Sequence, residues 1–162
     1  MSRTVHVNAL RWFAERDGGA EFVRSHGDAL DDEALTRSLT APYPDALQIV
    51  STLRAAGVGA DCWFTLADTT GGTGPVLASD AAPVSLGGLS LSVGGDRERI
   101  AAHVAVTGLT CREPDDEAIT RAALALAQAF GPQVIWDDTL ADVMLVHPDT
   151  PPDHVRTRWA HD

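Results

Sequence analysis

Alternation of apolar and polar positions is cleanest where Leu89, Leu91 and Val93 are separated by Ser90 and Ser92. A period of two places the three apolar side chains on one face, as in a half-buried antiparallel strand. That strand is expected to start at Val84 and to turn at Gly94-Gly95-Asp96. Val5 and Val7, alternating with Thr4 and His6, predict a short opening strand. Asp61 to Leu66 suits β structure through Cys62, Trp63, Phe64 and Thr65. Val134 to Trp136 and Val143 to Val146 predict two more strands around an acidic turn. Residues 100–109 fit two patterns. Val104 and Val106 alternate with His103, Ala105 and Thr107, which favours a strand hairpinned to the preceding one, while a helix starting at Asp96 is the alternative.

The helical period is strongest after Asp115-Asp116-Glu117, three acids placed where the helix macrodipole favours negative charge. Ile119, Ala122, Ala123, Leu126 and Phe130 then form one stripe, and Gly131-Pro132 ends it. Asp45 with Gln48 three residues later has the form of a capping box, Leu47, Val50 and Leu53 make a face, and Gly57 stops the helix. Asp31-Asp32-Glu33 opens another helix carrying Leu35 and Leu39. A first helix over 9–16, holding Leu10, Trp12 and Phe13, is expected behind Asn8 as cap and before Gly18-Gly19. The predicted fold is α+β: a mostly antiparallel sheet of about five to six strands with helices packed on one face. Residues 1–147 are read as a single domain, and 148–162 as a Pro- and His-containing tail running over the surface.

Composition agrees with a folded domain, since 44% of the 162 residues are apolar and 22% charged. No apolar run approaches the roughly 20 residues that span a bilayer, and no basic segment followed by an apolar stretch opens the chain, so a cytoplasmic address is expected. Cys62 and Cys111 are isolated and read as reduced core residues. Charge narrows the partners. The 23 acids face 12 bases, all of them arginine, for a net charge of -11. Such a balance repels phosphates, which argues against nucleic acid and anionic membranes as direct partners and permits a basic protein.

Chemistry is sparse. The sequence holds no H-E-x-x-H, C-x-x-C or G-x-S-x-G, and no lysine for a phosphate-binding loop. Thr69-Thr70-Gly71-Gly72-Thr73-Gly74 resembles the T-T-G-G-T-G loop of the molybdopterin-binding domain of molybdenum-cofactor enzymes. The resemblance covers six residues. At Ser79-Asp80-Ala81-Ala82-Pro83 the arginine and threonine of that family's R-D-x-T-P segment are missing, so no cofactor is expected. His147, His154 and His161 are spaced by seven, but Pro151 and Pro152 break any helix through the first two. His154 and His161 would stand about 10 Å apart, too far to share an ion. Neither a metal nor a catalytic residue is assigned.

The acids remain. Between Glu113 and Asp153 nine acids stand against Arg121 alone. Trp136 beside Asp137 and Asp138 has the form of an aromatic anchor flanked by steering charges, and Asp142, Asp115, Asp116 and Glu117 extend the set. The expected function is therefore a non-catalytic acidic binding protein for a basic protein partner, of the immunity or inhibitor type. The alternative is a small enzyme or ligand-binding domain with a pocket at residues 69–75, using Thr70, Gly71, Gly72, Thr73, Gly74 and His103.

Overall fold

A computed structural model describes residues 3–26, 29–67, 77, 82–140 and 142–159. The strands are β1 (Thr4–Ala9), β2 (Val58–Cys62), β3 (Thr65–Ala67), β4 (Val84–Ser92), β5 (Arg99–Ala101), β6 (Gly108–Arg112), β7 (Gln133–Asp137) and β8 (Val143–Val146). The helices are α1 (Leu10–Ala14), α2 (Gly19–Ser25), α3 (Asp32–Thr40), α4 (Ala46–Ala55), α5 (Asp116–Phe130) and α6 (Pro152–Trp159). Six strands form one sheet in the order β2-β4-β6-β1-β7-β8, and β3 pairs with β5 in a separate two-stranded sheet. Within the large sheet every neighbouring pair is antiparallel except β2 and β4. The expected α+β class and mostly antiparallel sheet hold.

The main core lies on one face. Val5 and Val7 of β1, Leu89 and Leu91 of β4, Leu109 and Cys111 of β6, and Ile135 of β7 meet α4, α5 and α6 there. Leu86 also reaches this core although it lies three residues from Leu89, an odd spacing for a strand. Gly87 explains this. Its φ is 68°, and a Cβ there would stand 2.0 Å from the Arg112 carbonyl oxygen, so glycine alone permits the bulge that resets the alternation. A smaller cluster sits on the other face at the β7–β8 end, where Leu10, Phe13, Val23, Leu30 and Ala34 from the α1–α3 region cover Val134, Val143 and Leu145. The rest of that second face, across β4, β6 and β1, carries small and polar side chains.

The capping box of α4 is formed as expected, with Asp45 accepting from the Gln48 amide and the Gln48 side chain accepting from the Asp45 amide. Four expectations change. The strand expected over Asp61 to Leu66 is interrupted at Trp63 and Phe64, so that its two ends belong to β2 and β3 in different sheets. Asn8 does not cap α1; it lies within β1 and its side chain is buried against Gly108. Residues 100–109 are neither the expected full strand nor a helix: they hold the end of β5, a turn, and the first residues of β6, which does pair antiparallel with β4. The chain after His147 does not simply run over the surface, because α6 places Val155 and Trp159 in the main core at 0% and 1% exposure.

Candidate partner-binding surface

Sheet register decides which polar side chains meet. In β1 the core takes Val5 and Val7, so Thr4, His6 and Asn8 point to the other face. Pairing extends this into rows. Ser90, Thr110, His6 and Trp136 lie opposite one another across β4, β6, β1 and β7. The next row runs Gly88, Arg112 and Thr4, and the Asp138 amide donates to the Thr4 carbonyl at its end. Trp63, half exposed, packs against Gly88, where a Cβ would stand 2.8 Å from the indole, and the Arg112 guanidinium lies over its ring, 5.2 Å from the centroid. Two indoles thus bracket a polar strip over β6 and β1.

Trp136 is more constrained than an exposed anchor. Its ring stacks on His6 at 4.1 Å, and its Nε1–H donates to Asn8 Oδ1 at 2.9 Å. His6 is held on both sides, by Asp138 Oδ1 2.6 Å from Nε2 and by Thr110 Oγ1 3.1 Å from Nδ1. In the neutral ring that fits these partners, Nε2–H donates to Asp138 and Nδ1 accepts from the Thr110 hydroxyl.

The sequence-predicted acids converge at one end of the sheet, where β1 begins, β6 and β7 end and β8 begins. Their states differ. Asp138 has 61% of its side chain exposed and directs one oxygen to His6. Asp137 turns inward, accepting from the amide and hydroxyl of Thr139, and is structural. Asp116 pairs with Arg3 at 2.6 Å. Glu117 accepts from Arg121 and twice from Arg156, and the Arg156 hydrogen bonds, followed by that of Arg121, hold its carboxyl below the usual range. Asp115 accepts from the Ser85 amide instead of capping α5. Glu113, exposed and left-handed at φ 55°, turns the chain from β6 towards α5. Asp142, half-buried, precedes β8.

No family model, curated protein or solved structure matches the chain. Function therefore rests on the chemistry of this surface. Thr110, His6 and Asp138 resemble a hydroxyl–base–carboxylate relay. However, β6 is hydrogen-bonded on both sides, to β4 and β1, so the amides around Thr110 are committed to the ladders and cannot stabilise an oxyanion. The row fixes shape more readily than it performs acyl transfer.

The other sequence candidates separate. Thr70, Gly71, Gly72, Thr73 and Gly74 lie outside the described residues, and so does His161. His103 has 85% of its side chain exposed, 3.4 Å from Asp45 at the start of α4. Cys62 and Cys111 flank Leu89 on opposite sides of β4, two strand spacings or about 9–10 Å apart, beyond the reach of a disulfide. Burial alone pushes the Cys111 thiol up to about 12, and burial also raises that of Cys62. Among the described residues no three metal-ligating side chains come together, and no described helix is long and apolar enough to cross a membrane. The sequence did not single out His6, Thr110, Arg112 or Trp63 as members of this surface. Only the polar alternation of His6 between two valines hinted at it.

Proposed function

We propose that the protein is a non-catalytic binding protein that engages a basic protein partner, of the immunity or inhibitor type, through its acidic end and the adjoining open sheet face. One observation carries the reading: exposed acids from separate segments, Glu113, Asp115 and Asp138, gather at one end of the sheet, beside the face that presents the half-exposed Trp63, whereas Asp142 lines a small pocket with His26, Arg158 and Trp159. Carboxylates at a rim steer a cationic partner, and an indole supplies buried area once it arrives. Asp116 and Glu117, predicted as contacts, serve here mainly to hold Arg3, Arg121 and Arg156, and Asp137 holds its turn.

The test is capture from the protein's own cells on the immobilised wild type and on an E113R/D138R variant whose folding is checked by thermal melting. A protein of high isoelectric point should be retained by the wild type at low salt, released by high salt, and lost on the variant. Equal retention by both surfaces would refute the proposed face.

A further inference from the structure

The opposite end of the sheet carries a second feature. Where β1 ends and β7 begins, a groove of about 440 Å³ opens between α3, the 42–44 linker and the loops around Gly131 and Pro148. Its volume falls within the roughly 300–1,000 Å³ of small-molecule sites. Pro42, Pro44, Pro132 and Pro148 all line it. Each fixes its own φ, so the walls are set before any ligand arrives and little ordering entropy is lost on binding. Tyr43 and Phe130 add aromatic surface.

Two cations face this apolar space in a chain of net charge -11. Arg11 lies over the Tyr43 ring at 4.6 Å. Its Nε donates to Glu15 and its Nη1 to the Ala41 carbonyl, which leaves Nη2 without a partner among the described residues. The Tyr43 hydroxyl donates to the other Glu15 oxygen, so Glu15 is consumed inside this network and fixes both groups. Arg37, exposed in the last turn of α3, has no ion pair or side-chain hydrogen bond among the described residues. An unpaired guanidinium beside a rigid apolar groove complements a carboxylate on an apolar body. Asp149, exposed on the facing loop, argues against ligands of higher negative charge.

We propose that this groove binds a small monoanionic carboxylate with an aromatic body, its carboxylate on Arg37 and Arg11 and its ring against Tyr43, Phe130 and the prolines. This site is independent of the acidic end.

The experiment is calorimetric titration of the full chain with 1-naphthoate, 1-naphthamide and inorganic phosphate, repeated on R37Q. Saturable one-to-one binding of naphthoate is expected. Loss of a charge-assisted contact should weaken it about tenfold in R37Q, and the uncharged amide should bind the wild type about tenfold more weakly than naphthoate does. Phosphate should neither bind nor compete. Absence of saturable naphthoate binding, an unchanged affinity in R37Q, or equal binding of the amide would overturn the assignment. So would competition by phosphate, which would reduce the groove to a simple anion site.

Discussion

Truncation of Trp159 to alanine tests whether the C-terminal helix is part of the fold. Trp159 is 1% exposed, and with Val155 it anchors α6 in the main core. Arg3 also places its guanidinium 5.4 Å from the indole centroid, which adds roughly 0.5–1 kcal/mol at a partly exposed site. Replacing a buried tryptophan by alanine costs about 3–5 kcal/mol, because apolar contact is lost and a cavity is left. That is a large share of the roughly 5–15 kcal/mol that holds a domain together. At about 2–4 °C per kcal/mol for a chain of this size, the melting temperature should fall by about 6–20 °C. Urea denaturation followed by far-UV circular dichroism gives the free energy directly and does not depend on the fluorophore removed. Val155→Ala, which deletes less volume, should cost about 2 kcal/mol. A loss under about 1 kcal/mol in Trp159→Ala would refute the reasoning, since it would mean that α6 is not docked through its indole.

Three further outcomes follow from separate parts of the structure. Asp45→Ala removes the capping box of α4 and should cost about 1 kcal/mol in the same denaturation assay; no loss would mean that the cap is redundant with the tertiary bonds at that helix start. Native protein should expose at most one thiol to a disulfide reagent, the half-buried Cys62, with Cys111 reacting only after unfolding, and two rapid native equivalents would contradict its burial. Glu117, lowered in the folded state, contributes stability that is present above its unfolded pKa and lost as pH falls through its folded one. Its carboxyl resonance should therefore titrate below the ordinary 4.5, and Arg156→Gln should move the midpoint back up; an unmoved midpoint would show that the pair is not formed in solution.

The strands and helices that were legible in the sequence are those with a strong period. The Leu89–Val93 alternation and the stripe of α5 both announced the face they bury. Local chemistry was equally legible at Asp45 and Gln48, because a capping box is a contact between neighbours in the chain. Alpha6 was obscured by two prolines at its start and by having only Val155 and Trp159 as apolar positions. Tertiary burial, not propensity, holds it. The bulge at Gly87 depends on the Arg112 carbonyl across the sheet, which no local pattern reveals.

The surface shows the same division. Acid-rich segments are visible in the sequence, but which carboxylates are already paired depends on Arg3 and Arg156, over a hundred and 39 residues away respectively. Asp137 and Asp138 look equivalent as letters. The strand register sends the first inward to Thr139 and leaves the second outward beside His6. Trp63, between β2 and β3, gains its place because Gly88 of β4 leaves room for it.

The most direct measurement of the central claim is the association rate of the captured basic partner with wild type and with E113R/D138R, followed by stopped flow across ionic strength. Electrostatic steering predicts a wild-type rate that falls at least about tenfold from roughly 0.01 to 1 M salt, a slower variant at low salt, and convergence of the two at high salt. Rates that are independent of salt, or identical for the two proteins at low salt, would contradict a binding face built from Glu113 and Asp138.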